Sequence, residues 1–538
     1  MFACQKDEQP DPVDPPAVEN KTTQITVWDA TQWSESNPKG LPIEGATVEL
    51  YATQQDYRLK KPALTATTDK NGIASFTGAK EGDYFIVAFK DKKANLWADH
   101  LGHSKVSDTL FQSFESINDL QRPIQKNAAP GDFMFSDLNG DAKIDNNDIA
   151  DAPFFKVIIN NKIPVAHDVI IGYPVNHEGA PIKTMEEVKA AFATVAQQIG
   201  NTHQGFVMLD GILSDESDGN ITGVENSLAA DWQKIDQFQI VSSNTVITRL
   251  WNEHYASILK LNTLMADIAR IAPEETEVRS QLYAFRALAH LDLFTYFGDL
   301  PLVEGSLIPP YIARSSQTEI REYIYRDVMY SASHLPVTAP AATPWYATGA
   351  AVHMILAKLY TEIFYTDGVV FATDTNLNFY KQRQLTDLSQ VFVSPTGAEI
   401  IWAISPGLTS PFKEYFVKPG QTVNFFPVSR LTETYLLRAL TYAYRGNWGT
   451  VAENLDIVAK RSGKTVGAIN TPEDAIRELE KLYTAEFYRE GFRYRFLHLT
   501  DQADKVLATK GYDSYHEHMP IPESILMKYP NIVQNRGY

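Results

Sequence analysis

Apolar residues along the chain keep two different spacings, one before about residue 178 and another after it. In the first part they alternate, or run over strand lengths. Ile25–Trp28, Ala46–Tyr51, Ile73–Phe76 and Tyr84–Phe89 read as β-strands. Asn71–Gly72 and Glu81–Gly82–Asp83 supply the residues that turns between strands require. Two further apolar runs between Phe154 and Tyr173 flank Asn160–Asn161–Lys162, which predicts a hairpin closing this region. The period then becomes helical. Thr184, with Glu187 three residues on, forms a capping box, and Met185, Val188, Phe192, Val195 and Ile199 trace one helical face. The same reading places helices at 246–271, 275–297, 317–334, 347–365, 431–445, 449–462 and 472–495, with breaks at Pro273, Gly446–Asn447 and Pro472.

Tyr283–Leu302 is the clearest of these segments. Leu282, Phe285, Ala289 and Tyr296 fall near one stripe, and Leu288, Leu291 and Phe294 add a second apolar side, so neighbours should cover two faces. Gly298 can take the left-handed conformation that closes a helix, and Pro301 prevents its resumption. Ala347, Ala350, Ala351 and Ala357 form a stripe suited to close helix-on-helix approach. Paired helices with tight turns predict a mainly α, tetratricopeptide-like solenoid with long irregular loops, although no clean repeat of about 34 residues survives. A small β-sandwich precedes it. At 538 residues the chain should hold two or three domains.

Composition narrows the function. Hydrophobic residues at 44% and charged ones at 21% fit a globular protein with sizeable cores. The formal charge of −18 argues against nucleic acid as a partner, because phosphate binding needs clustered Lys and Arg. No apolar run reaches the roughly 18–20 residues of a membrane-spanning helix. The single cysteine, Cys4, excludes disulfides within the chain and any CxxC site.

The common nucleophile, zinc and nucleotide motifs are absent. Glu486 and Glu490 lie four apart on one helix face, but Arg489 and Arg493 flank them, so a salt-bridged structural face is the better reading. His516-Glu517-His518 lacks further ligands at metal spacing and reads as a surface loop. Asp137, Asn139, Asp141, Asp145 and Asp148 place oxygens at positions 1, 3, 5, 9 and 12 of a loop, and the Lys143 carbonyl fills position 7. That set can wrap Ca2+ as a structural ion. The loop resembles a dockerin-type repeat, with Ala142 where glycine is usual and Asp148 in place of the bidentate Glu.

Several segments resemble one family. Phe285-Arg286-Ala287 with Tyr296-Phe297-Gly298-Asp299-Leu300-Pro301-Leu302 is similar to a helix and exit of SusD/RagB proteins. Leu250–Asn262, with spaced Trp251, Tyr255, Ile258 and Asn262, resembles a second family helix, and Ala347–Tyr360 its Ala-rich helix. Glu486–Arg493 and the ending His518–Glu523 with Asn531–Tyr538 complete the order. Phe496-Leu497-His498 departs from the family pattern. Together these segments cover roughly Pro181 to Tyr538. Near the N-terminus, Gly45–Leu50, Thr68–Phe76 and Gly82–Tyr84 resemble a carboxypeptidase-regulatory-like β-sandwich.

The resemblance implies a non-catalytic, cell-surface lipoprotein of Bacteroidetes. It would bind an oligo- or polysaccharide and deliver it to a SusC-like TonB-dependent transporter. Residues 1–20 would be the anchor and a Pro/Asp-rich tether, 21–178 the β-sandwich region, and 179–538 the helical ligand-binding domain. Cys4, after the small Ala3, would carry the lipid that holds the chain on the extracellular face of the outer membrane. Family ligand sites vary, so they are sought in irregular stretches. Asp210–Trp232 and Gly407–Phe426 qualify, and Trp232, Tyr415 and Phe416 are the candidate contacts, whereas Trp402 in a strand-like run is structural. Alternatives are a surface glycoside hydrolase, an adhesion or scaffold protein, and a peptide ligand in place of a glycan.

Overall fold

A computed structural model describes residues 22–29, 32, 40–53, 56, 61–90, 93–94, 134–135, 149–151, 156–159, 166–171, 182–272, 274–303, 308, 312–337, 345–381, 383–403, 408–529 and 531–538. Cys4 and the loop 137–148 lie outside them.

The alternating segments form two sheets around one apolar core. In the first, β1 (Thr22–Asp29) is flanked on one edge by β2 (Leu41–Pro42) and β5 (Ile73–Thr77), both antiparallel, and on the other by the parallel β11 (Ala166–Ile171). In the second, β3 (Thr47–Tyr51) lies between β4 (Leu64–Thr67) and β6 (Gly82–Lys90). β6 also pairs with β7 (Lys93–Ala94) and β10 (Lys156–Ile159). A short ribbon of β8 (Met134–Phe135) and β9 (Ile149–Asp151) stands apart. Ile25, Val27, Val48, Leu50, Phe76 and Ile86 point into the shared core, as the period of two requires.

The turn before β5 shows why its sequence is Asp-Lys-Asn-Gly. Asp69 Oδ1 accepts the backbone N–H of Asn71 at 2.8 Å and of Ile73 at 2.9 Å. Gly72 has φ +75°, and a β-carbon there would lie 2.7 Å from Pro42 Cβ. The expected hairpin at 154–173 is not formed. Its first run joins β6 and its second joins β1, so the two strands sit in different sheets. Apolar pattern marks a strand but not its partner, and here each sheet completes itself with one run.

The rest is helical. The principal helices are α1 (Met185–Leu213), α2 (Asn226–Asp236), α3 (Thr245–Ile271), α4 (Glu277–Phe297), α5 (Gln317–His334), α6 (Gly349–Glu362) and α7 (Thr366–Phe379). After a short α8 (Phe412–Tyr415) come α9 (Leu431–Tyr444), α10 (Trp448–Arg461), α11 (Pro472–Phe487) and α12 (Arg493–Leu499). α1 packs on α3, and from α3 to α7 each helix packs on the next; α7 meets α9, α9 meets α10, and α10 meets α11. This stepwise packing of each helix on the next is the solenoid-like arrangement that the spacing predicts. A two-stranded ribbon, β12 (Ile400–Ala403) with β13 (Pro427–Arg430), leads into α9.

Thr184 and Glu187 form the predicted capping box at the start of α1. Ala350, Ala351 and Ala357 are wholly buried. Helix α4 is covered almost all round, in keeping with its two apolar sides. Gly298 follows it with φ +70° but ψ −128°, so the stop uses positive φ without the left-handed helical geometry. The segment 472–495 is not one helix. Arg489 (φ +61°) and Gly491 (φ +82°) separate α11 from α12, and a β-carbon on Gly491 would lie 3.0 Å from Val207 Cα of α1. Helices α2 and α7 carry no strong sequence signal and were not expected.

Candidate ligand-binding cleft

A cleft of about 370 Å3 opens between α1, α2, α3 and the segment 409–412. This is the low end of the range for small-molecule sites, roughly 300–1,000 Å3. Local chemistry fixes its walls. Asn244 caps α3 by accepting the N–H of Val246 at 3.0 Å and of Ile247 at 3.2 Å, and its own amide donates to Asp231 O at 3.2 Å. Asp231 in turn accepts the Thr245 N–H at 2.8 Å, which ties α2 to the start of α3. Gly219 lets the connecting loop lie against α2, since a β-carbon there would fall 2.5 Å from Trp232 O.

Met208, Leu228, Trp232, Leu250 and Phe412 are the larger apolar residues of the lining. Two polar side chains sit deep among them. Gln204 is 3% exposed and Ser257 2%, both line the cleft, and neither side chain has a hydrogen-bond partner among the described residues. Buried polar groups are normally paired, so an amide and a hydroxyl facing a cavity are ready for a ligand. The rim is charged. Arg249 Nε donates to Glu253 Oε1 at 2.7 Å, and its Nη1 lies 3.8 Å from Glu225 Oε1. Thr202 Oγ1 donates to the other Glu253 oxygen at 3.1 Å.

The two irregular stretches chosen from sequence meet here, since Trp232 ends the first and Thr409–Phe412 belong to the second. Trp232 lines the cleft, with 5% of its surface open. Tyr415 and Phe416 do not, and each is 1% exposed. Tyr415 donates to Val207 O at 3.4 Å, and a β-carbon on Gly211 would overlap its hydroxyl. Phe416 stacks on Phe412 at 5.3 Å and takes the edges of Phe426 and Phe392. Both rings are covered by protein, so of the three expected contacts Trp232 alone lines this cleft. An irregular backbone does not make a surface loop when its side chains fill the core. Trp402 is buried edge-on to Phe285, as expected of a structural residue.

Glu486, on α11, and Glu490, in the break after it, are paired, but with other cations than the flanking Arg489 and Arg493. Arg430 bonds Glu399 at 2.8 Å and Glu490 at 2.9 Å, Lys418 bonds Glu490 at 2.6 Å, and Arg461 joins Glu399 to Glu486. Burial works against the Glu490 charge, yet Arg430 and Lys418 hold its carboxyl below the ordinary range. Arg489 instead donates to Tyr415 O, and Arg493 to Asp215. His516 is not on a surface loop. It is buried against Phe238, Tyr512 and Tyr538. Among the described residues no group of three or more His, Cys, Asp or Glu could hold a metal.

Sequence reasoning missed Gln204, Ser257, Arg249 and Glu253, all on helices. Gln198, Asn201 and Gln204 stand at three-residue steps along α1, a spacing that brings polar side chains near one another on one side of the helix.

With this geometry in hand, comparison with known proteins shows what the chain is similar to. Residues 180–377 match the family model of SusD-like proteins described as starch-binding and associating with the outer membrane. A laminarin-binding SusD-like protein superposes with TM-score 0.56 at 17% identity, over 66% of this chain and 100% of that one. A SusD superfamily protein from Bacteroides vulgatus gives 0.56 at 16%, over 66% and 99%. Surface glycan-binding protein A from Bacteroides fluxus gives 0.53 at 15%, over 66% and 100%. No curated protein matches in sequence. About two thirds of the chain therefore share the fold of these SusD-like structures. No helix of the described residues is long and apolar enough to cross a membrane.

Proposed function

We propose that the protein binds a glycan in the cleft between α1, α2 and α3 and passes it to a SusC-like TonB-dependent transporter at the outer membrane. The observation that carries this reading is the unpartnered Gln204 amide and Ser257 hydroxyl beside the Trp232 ring. A sugar ring offers C–H faces to an aromatic wall, and hydroxyls that both donate and accept. The matched family's description and the laminarin-binding relative support the ligand class. The role is capture without catalysis. In the same reading, Cys4 anchors the chain through a lipid, and Ca2+ fills the loop from Asp137 to Asp148. Isothermal titration with a panel of oligosaccharides tests it. Dissociation constants on the order of micromolar to millimolar are expected, since each hydrogen bond nets about 1 kcal/mol. Gln204→Ala and Trp232→Phe should weaken binding while the fold persists. Unchanged affinity in both would remove the cleft from the reading.

Glu225 and Glu253 in one cleft give the hydrolase alternative its single foothold. Both are part-exposed carboxylates beside Arg249, whereas a general acid keeps its proton in an apolar setting. Release of shorter sugars from a bound oligosaccharide, lost in Glu253→Gln, would favour that alternative.

A further inference from the structure

We infer that the cleft selects uncharged saccharides over uronate- or sulfate-bearing ones, because its one guanidinium is already held between two carboxylates. This inference rests on the glycan reading above and narrows its ligand class. Among the described lining residues only Glu225, Arg249 and Glu253 carry full charges, which leaves an excess of one negative charge.

Arg249 is the group an anionic sugar would need, since a guanidinium grips a carboxylate or sulfate through paired N–H donors. Its Nε already donates to Glu253 at 2.7 Å, and Nη1 faces Glu225 at 3.8 Å. The second Glu253 oxygen is occupied by the Thr202 hydroxyl, which holds that carboxylate in place. An anion reaching Arg249 would therefore sit beside two like charges or have to displace one of them. The chain's formal charge of −18 opposes polyanions in the same direction at long range.

The deep polar groups favour the same class. Gln204 presents a donor and an acceptor, and the Ser257 hydroxyl does both. A neutral sugar hydroxyl can answer each of these, whereas a carboxylate or sulfate at the same position only accepts and cannot pair with the Gln204 carbonyl. Desolvating an unmatched buried carbonyl is costly.

The test uses the full chain in about 150 mM salt, where long-range terms are screened beyond roughly 8 Å. Neutral glucans, xylans and mannans are titrated beside polygalacturonate and heparin. We expect a neutral glycan to bind at least about tenfold more tightly than either polyanion. Glu225→Gln with Glu253→Gln should free Arg249 and strengthen polyanion binding about tenfold, and adding Arg249→Gln should abolish that gain. All three side chains are part-exposed, and melting curves confirm that each variant is folded. Wild-type binding of a polyanion as tight as any neutral glycan, or an unchanged ratio in the double variant, overturns the inference alone. If the folded protein binds no saccharide of either class, the glycan reading itself falls, and this inference with it.

Discussion

Arg286 and Asp327 form a bidentate ion pair inside the helical core. Nε meets Oδ2 at 2.8 Å and Nη2 meets Oδ1 at 2.7 Å, with no more than 1% of either side chain exposed. The remaining Nη1 donates to Asn262 at 2.6 Å, so one guanidinium joins α3, α4 and α5. Removing one partner strands a buried charge, at a cost of roughly 3–5 kcal/mol. Asp327→Ala should lower unfolding free energy by that amount in urea titrations. Arg286→Met with Asp327→Leu should recover much of the loss. A single variant as stable as wild type would show that the pair does not hold the helices.

Phe416 is packed in the core and lies outside the cleft lining. Phe416→Ala should cost roughly 3–5 kcal/mol in unfolding free energy. The glycan affinity of the protein that remains folded should not change. A normal melting curve with lost binding would return Phe416 to the site.

Glu216 gives the fold a measurable pH dependence. Burial, and then the neighbouring Asp210 carboxylate, push its pKa from 4.5 up to about 8. Between those values the unfolded chain has released this proton while the native state keeps it, so the contribution to stability is lost as pH rises. Asp210, raised by burial to about 6, acts the same way over the lower part of that window. Glu216→Gln copies the protonated form. Its melting temperature should gain on wild type between pH 5 and about pH 8.5, and a flat difference would refute the assignment.

Calcium should raise the melting temperature of the full chain by mass action, since an ion that binds only the native state stabilises it. Asp137→Ala with Asp141→Ala should remove the rise. No heat in calorimetry with millimolar calcium, together with no effect of chelator, would reduce the loop to a turn.

Cys4 should accept radioactive palmitate in cells expressing the full-length gene, and Cys4→Ala should release the protein from membranes. Label that persists in the alanine variant would place the anchor elsewhere.

The helical architecture was legible because period and punctuation agree along it. Thr184 and Glu187 cap α1 as read, and the apolar sides of α4 are both buried. What escaped depends on partners far away in sequence. The break between α11 and α12 follows from Gly491 lying against Val207, and nothing near residue 491 announces that contact. Lys156–Ile159 and Ala166–Ile171 read as partners by proximity, but each found a better-matched edge in a different sheet. Tyr415 and Phe416 misled because glycine, proline and lysine around them resemble a surface loop, whereas their rings complete a buried aromatic cluster. The cleft was half legible. Trp232, chosen by context, does line the cleft, but Gln204 and Ser257 are ordinary helix residues until burial shows that nothing answers them.

The Tyr415 hydroxyl occupies the space that Gly211 leaves by lacking a side chain, so the segment before it is pegged to α1. Met208 and Gln204, the next turns of that helix, form part of the cleft lining. Wall and floor are thus tied to one helix, so a sugar bound as proposed above would meet both on a single element. Association should then proceed in a single step without a slow closing phase. Changes made within the cleft should appear in how quickly the sugar leaves, not in how quickly it enters.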